Sequence, residues 1–230
     1  MLLGKLLFLN IGAIQELKHA NGTVQSGIYK KSTNKELKIS KNGIVGDAQA
    51  DLAAHGGPDK VACLYPSEHY SWWKKEFNIT FQAGDAGENL STEGLTEKNV
   101  CIGDQFAIGT AIIEVSQPRQ PCYKLAAKHG KKHIAKKVQQ AGTTGFYFRC
   151  VQSGIIKQHE SIKLMNRPNP YFTIAEANNI MHIDKLNMKK LHNFFEIEQL
   201  SQSWKQYFLK RIKTLHIDTD SHIINPPEID

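Results

Sequence analysis

"CIGDQFAIGTAIIEVSQPRQPCYKL" occupies positions 101–125. It opens with two short apolar runs, "QFAIG" (105–109) and "TAIIEVS" (110–116), which meet at Gly109-Thr110. Apolar runs of this length bounded by turn residues read as β-strands. The stretch then stops being a strand. "SQPRQPCYKL" (116–125) sets Cys122 directly after Pro121, with Arg119 three residues before it and Lys124 two after. A buried structural cysteine suits a helix or a strand better than a stiff, cationic turn. Cations beside a thiol favour the thiolate, which is the nucleophilic and metal-binding form. An inert, half-exposed thiol remains the plain alternative, because nearby charge perturbs many thiols that have no function.

Outward from this stretch, the same strand signature recurs. "LLGKLLFLNI" (2–11), "VACLY" (61–65), "GFYFRCVQ" (145–152) and "ESIKLM" (160–165) are separated by Gly, Asn, Asp and Pro turns. Many short strands at such spacing predict a barrel or a sandwich. Two helices interrupt them. "PSEHYSWWKKEF" (66–77) has Ser67 as its expected N-cap and Tyr70, Trp73 and Phe77 on one face. "YKLAAKHGKKHIAKKVQQAG" (123–142) carries Lys124, Lys128, Lys132 and Lys136 at i, i+4 spacing, which reads as a solvated face. Gly130 weakens this helix and predicts two pieces.

At "NRPNPYF" (166–172) prolines and asparagines break the pattern, which places a domain boundary there, giving units 1–165 and 166–230. The second unit reads as three short amphipathic helices. Thr173 and Glu176 form a capping box, and Leu200, Trp204, Phe208 and Ile212 lie on one stripe expected to be core.

Charge divides along the same line. Net charge is +7; residues 1–165 hold 21 Lys+Arg against 14 Asp+Glu, and residues 166–230 hold 8 of each. The first unit is therefore the one suited to an anionic ligand, a phosphate-bearing cofactor or a nucleic acid. The neutral second unit is expected to be packing rather than the seat of chemistry. Four scattered cysteines, Cys63, Cys101, Cys122 and Cys150, contain no CxxC spacing and suggest a reducing compartment. Cys63 and Cys101 lie in apolar runs and read as core. The N-terminus reads as a first strand rather than a leader, and no run approaches the ~20 apolar residues that span a bilayer. A soluble, cytoplasmic protein is the expectation.

Three further stretches hold chemistry-bearing residues. "GDAQADLAAHGGPDK" (46–60) gathers Asp47, Asp51, His55 and Lys60 around Gly56-Gly57. Glycines there let backbone N–H groups approach an anion closely. "GDAGENLSTEGL" (84–95) places Glu88 and Asn89 on a glycine-rich loop, and "GTTGFYFRC" (142–150) leads into a strand with Arg149. Each alone reads as an ordinary turn. Side-chain spacing offers no zinc site, and a Cys122–His55 or Cys122–His129 nucleophile pair stays open.

Together the stretches "GDAQADLAAHGGPDKVACLYPSEHY", "GENL", "CIGDQFAIG", "SQPRQPCYKL" and "TTGFYFR" resemble, in order, the MOSC domain, the C-terminal fold of molybdenum cofactor sulfurase. The likeness is closest to its YiiM-like branch and covers about residues 1–165; the tail resembles that branch's three-helix extension. The resemblance implies a mostly β fold with helices: a MOSC-type β-barrel that binds the molybdenum cofactor (molybdopterin), then a small three-helix C-terminal domain. It implies that Cys122 coordinates molybdenum, and that the activity is reduction of N-hydroxylated compounds such as hydroxylaminopurines and amidoximes.

On this reading His55, Gly56, Gly57, Lys60, Asn89, Arg119 and Arg149 are candidates to hold the cofactor. Glu88, Asp47, Asp51 and His55 are candidates to relay protons. No flavin, haem or iron–sulfur motif is present, so a separate reductase is expected to supply electrons. No membrane and no specific nucleic-acid partner is expected. Three rivals remain: a sulfur carrier with a Cys122 persulfide, a nucleic-acid-binding barrel using the lysine helix, and a domain that binds the cofactor without catalysis.

Overall fold

The structure, a computed structural model, describes residues 2–20 and 22–220, with side chains to residue 214. Met1, Asn21 and residues 221–230, the last ten residues of the expected 166–230 unit, lie outside the described residues. In chain order the elements are β1 (Leu3–Ile11), β2 (Gln15–His19), β3 (Gly22–Ser26), β4 (Lys31–Ser32), β5 (Leu37–Ser40) and β6 (Gly43–Ile44). Next come α1 (Leu52–His55), β7 (Ala62–Pro66), α2 (Tyr70–Phe77), β8 (Leu90–Glu93), β9 (Gln105–Ile108) and β10 (Ala111–Pro118). They are followed by α3 (Tyr123–His129), α4 (Ile134–Ala141), β11 (Phe146–Gln152), β12 (Gly154–Ile156) and β13 (Ser161–Asn166). The chain ends in α5 (Ile174–His182), α6 (Met188–Phe195) and α7 (Gln202–Asp220).

Seven strands close into a barrel in the order β13-β9-β10-β11-β7-β8-β1, with β1 returning to β13 and β4 added at the far end of β1. Closure leaves the seven without free edges. Within the ring only β7 and β8 run parallel. All six strand-like runs of the sequence are barrel strands. Their inward residues include Leu6, Leu9, Leu64, Phe106, Ile113, Phe146 and Phe148, all fully buried. Phe148 meets Phe106 and Phe146 edge-on, with ring centroids 6.2 and 5.5 Å apart. Strand β10 loses register with β11 between Val115 and Gln117, a bulge that bends the strand just before the Cys122 turn.

The barrel core continues into the extension. Ile174, Ala177 and Ile180 of α5, Leu191 and Phe194 of α6, and Trp204, Phe208 and Ile212 of α7 join the same buried cluster. The expected stripe Leu200, Trp204, Phe208 and Ile212 is buried throughout. Thr173 caps α5, accepting from the Glu176 backbone N–H at 3.1 Å. The Glu176 carboxylate turns instead to Lys190, so the box is half made.

A second cluster sits outside the barrel wall. Trp73 of α2 stacks on Phe81 at 4.4 Å and donates its indole N–H to the Tyr65 hydroxyl at 2.6 Å. Leu125, Ile134 and Val138 pack against them and so anchor α3 and α4. The region 123–142 is two helices, broken at Gly130, whose φ of 62° only glycine adopts cheaply.

Two expectations need correction. Ser67 does not cap α2; it begins a short 3₁₀ turn, Ser67–His69, that runs into the helix. The lysine stripe is not a uniform solvated face. Lys124 is 5% exposed and Lys128 is half-buried, because α3 turns both toward the loops beneath it.

Candidate functional site

Cys122 ends the turn that joins β10 to α3. Pro118 closes β10 and Pro121 precedes the cysteine, so few backbone torsions are free between strand and helix. Cys122 is the N-cap residue of α3 with extended backbone, and its side chain makes no capping bond. The half-buried thiol therefore stays available. Its Sγ lies 3.7 Å from His55 Nε2.

His55 is delivered by α1, a single turn capped by Asp51, whose Oδ1 accepts from the Ala54 N–H at 3.0 Å. The other Asp51 oxygen lies 3.4 Å from Lys124 Nζ, which ties the 46–60 loop to α3. Burial first, then the cations Lys124 and Arg119, hold the His55 pKa down to about 4. Its imidazole is neutral at physiological pH.

Arg119 is 8% exposed. Its backbone N–H donates to Gly145 O at 3.0 Å, and Nη2 donates to Ala86 O. Nη1 is buried and has no hydrogen-bond partner among the described residues. A buried guanidinium donor without an acceptor is costly, and an anionic group within reach would satisfy it.

Three recesses adjoin at His55 and Tyr147, which line all of them. The first, about 600 Å³, is walled by Lys30, Lys41, Lys60, Asn89 and the Gly56-Gly57 turn. Gly57 has φ 91°, and a Cβ there would point into open space. Lys60 donates to Ala54 O at 2.7 Å, and burial lowers its pKa. The second, about 510 Å³, includes Cys122, Lys60, Gln139, Met181, His182 and Tyr207. Between them a pocket of about 40 Å³ meets Arg119, Cys122, Lys124 and Gly87. The wall is cationic and glycine-lined on one side of the thiol and helical on the other.

The structure brings Cys122, His55, Gly56, Gly57, Lys60 and Arg119 together, with Asp51 behind them. Asp47 and Asn89 border the first recess, but their polar groups are occupied. Asp47 accepts from Lys30 Nζ, from the Gly12 N–H at 2.9 Å and from Asn89 Nδ2 at 2.9 Å. Asn89 Oδ1 accepts from the Cys63 N–H at 3.1 Å. Glu88 is fully buried and lines none of the three recesses; its Oε1 accepts from the Gly84 N–H and from Ser91 Oγ, each at 2.7 Å. Burial raises its pKa.

Arg149 is also elsewhere. It pairs with Asp59 at 2.7 Å and Glu114 at 2.8 Å, bracing the barrel wall. Each of its three guanidinium nitrogens donates to one of these carboxylates, and Arg149 lines none of the three recesses, so the structure does not bring it to the site expected for a cofactor phosphate. His129 Nε2 donates to Asp85 O at 2.9 Å and is not the histidine beside Cys122. Among the described residues no three His, Cys, Asp or Glu side chains gather as a metal site.

Sequence reasoning missed the wall supplied by the extension. Met181 and His182 come from the end of α5, and Tyr207 from α7. Their only sequence signal is that His182 and Tyr207 interrupt otherwise amphipathic helices, which marks no motif. Tyr147, central to all three recesses, was legible only as a strand aromatic.

Comparison with known proteins bears on the whole chain. The family described as "MOSC domain" matches residues 51–163, and "YiiM-like, 3-alpha helix domain" matches residues 172–215. The chain is 40% identical over 205 residues to YflK of Bacillus subtilis (strain 168), covering 89% of this chain and 93% of that protein. It is 39% identical over 189 residues to "Protein YiiM" of Escherichia coli (strain K12), covering 81% and 84%. A protein named "Reductase" from Gibberella moniliformis is 30% identical over 192 residues, which cover 82% of this chain but 34% of that one. The crystal structure of YiiM from Geobacillus stearothermophilus superposes with a TM-score of 0.78 at 34% identity, covering 91% of this chain and 99% of that one.

Proposed function

The chain belongs to the MOSC family, in the branch that carries the YiiM-like three-helix domain, and we propose that it is a molybdenum cofactor-dependent reductase of N-hydroxylated compounds. Hydroxylaminopurines and amidoximes are the substrate class, and a separate reductase supplies the electrons. The family relation and the reductase-named relative support the coarser part of this reading, cofactor-related reduction. The observation that carries the finer part is the half-buried Cys122 thiol beside the unpartnered Arg119 Nη1.

The residues fit the cofactor by their chemistry. A cysteine sulfur is a soft ligand suited to a heavy metal already held by sulfur. Cys122 would hold the metal. Arg119 Nη1, Lys60 and the backbone of the Gly56-Gly57 turn would hold the anionic phosphate. The bound cofactor supplies a centre for two-electron removal of an oxygen atom.

The protein's part is orientation, charge and protons. Reduction of R–NHOH breaks the N–O bond, consumes two electrons and two protons, and yields R–NH₂ and water. His55 is the proton-bearing group of this account. Its neutral imidazole takes a proton at one nitrogen while releasing one from the other, so it passes protons without becoming a stable cation. Asp51 positions it through the α1 cap and the Lys124 contact. Asp47, Asn89 and Glu88 serve as scaffold.

The test is expression in a cofactor-competent host, followed by turnover of 6-hydroxylaminopurine with a chemical electron source. Molybdenum-loaded protein that turns over is the expected result. A protein without molybdenum that carries a persulfide on Cys122 by intact-mass analysis would instead make it a sulfur carrier.

A further inference from the structure

The end of α5 is held over the Cys122 recess by a device outside the motif residues. The last carbonyls of a helix lack intrahelical partners. Arg211 of α7 supplies them: Nη1 donates to Ile180 O at 2.8 Å and Nη2 to Met181 O at 3.1 Å. The same guanidinium lies 4.8 Å from the Tyr207 ring centroid. Met181, His182 and Tyr207 are thereby fixed as one wall of the recess of about 510 Å³ that Cys122 also lines.

Within that wall His182 is incompletely bonded. Its Nε2 is buried and has no hydrogen-bond partner among the described residues. A buried ring nitrogen in a recess calls for a ligand atom to meet it. Burial, then Lys185 and Arg211, hold its pKa down to about 4, so the ring is neutral and able to donate or accept. The same recess is lined by the polar side chains of Gln117, Gln139 and Tyr147 and by the cations Lys60 and Lys185. Met181 and Tyr207 add apolar, polarisable surface. Such a lining suits a flat heteroaromatic ring that carries no positive charge and presents acceptor nitrogens along its edge.

We propose that His182, carried by the helical extension, is a specificity-determining residue that hydrogen-bonds the ring edge of a planar N-hydroxylated heteroaromatic substrate whose N–OH group faces Cys122. The ligand class rests on the reductase reading; the role of His182 rests on the recess. Selectivity is then divided between the two parts of the chain. The barrel side holds the reacting end, and the extension reads the ring. A site built to bond a polar edge rejects analogues that lack it, because its own group is left unpaired.

Calorimetric binding to the full, cofactor-loaded chain tests this separately from turnover. The probes are adenine, 6-hydroxylaminopurine and benzamidoxime, whose ring has no nitrogen edge. His182→Phe should weaken both purines about tenfold or more, the equivalent of one lost buried hydrogen bond. Benzamidoxime should change less than about twofold, and His182→Gln should recover purine binding, on the same principle. Should the Phe variant fail to fold, His182→Asn, which withdraws the Nε2 position, should show the same purine-selective loss. Equal weakening of all three probes, unaltered purine binding, no recovery by Gln, or a parent that binds neither purine overturns the inference. A parent that binds purines through His182 yet reduces no N-hydroxyl compound overturns the reductase reading and leaves the role of His182 standing.

Discussion

Cys122, His55 and Arg119 carry the account at the scale of single residues. Cys122→Ser keeps the side chain's shape but exchanges a soft ligand for a hard, poorly ionised hydroxyl. Turnover should fall to background while the melting temperature stays within about 2 °C, since the side chain is half-buried and caps nothing. Cys63→Ser should behave oppositely. Cys63 is 4% exposed, and burial pushes its thiol pKa up to about 11. The hydroxyl should cost on the order of 1–3 kcal/mol of stability, read by denaturant unfolding, and leave specific activity near the parent's. A pH prediction follows from His182. Its folded pKa, about 4, lies below the ordinary 6.5, so it stabilises the fold above pH 6.5, and this contribution drains away as pH falls toward 4. After discounting for its partial exposure, the loss by pH 5 should be on the order of 1 kcal/mol, and His182→Gln should flatten that part of the stability–pH curve. Cys122, His55, Lys60 and Arg119 were legible in the sequence because turn chemistry and charge announce them. The places of Asp47 and Arg149 were not, since a sequence shows a charged group but not the partner that holds it, and Glu88 is buried away from the recesses with its Oε2 unpartnered among the described residues.

At the scale of elements, strands and helices were legible where the period of apolar residues is strong. Every barrel strand read from the sequence lies within two residues of its observed bounds, the uncertainty natural to element ends. The two-helix division of 123–142 followed from Gly130 alone. The burial of Lys124 did not, because helix periodicity says which residues share a face and nothing about what covers that face. Thr173 was legible as the cap of α5, and its bond to the Glu176 N–H is made. Thr173→Ala should cost about 1 kcal/mol, measured by urea unfolding. Trp204, 1% exposed on α7, should cost about 3–5 kcal/mol as Trp204→Ala. Because α7 also holds the end of α5 through Arg211, that variant should weaken purine binding as well as stability.

Across the whole molecule, barrel and extension share one core, which the sequence suggested only by the unpaired apolar faces of three short helices. Ending the chain at residue 165 uncovers apolar barrel surface packed by Ile174, Phe194, Trp204 and Phe208, and the product should aggregate on size-exclusion chromatography. The neutral charge of residues 166–230 pointed to the barrel for an anionic ligand and was a poor guide to which residues line the Cys122 recess. The wall of that recess is completed by Met181, His182, Lys185 and Tyr207 from the tail. Most lysines of residues 1–165 are exposed, whereas three around the Cys122 recess and the loops beside it are held by carboxylates. Lys30 pairs with Asp47, Lys124 with Asp51 and Lys128 with Asp85. If the cofactor recess rather than the exposed lysines is the anion site, binding to duplex or single-stranded DNA should be weak at 150 mM salt, about physiological, in a filter or anisotropy assay, whereas a phosphate-tracking protein binds tightly at low salt and loses that affinity steeply. The central claim, that the Cys122 recess holds a molybdenum cofactor that reduces N–OH groups, meets its most direct test in elemental analysis paired with turnover. Full-length protein purified from a cofactor-competent host should contain close to one molybdenum per chain and convert 6-hydroxylaminopurine to adenine in proportion to that content. Metal-free protein that converts it equally well, or fully loaded protein that converts none, would contradict the account.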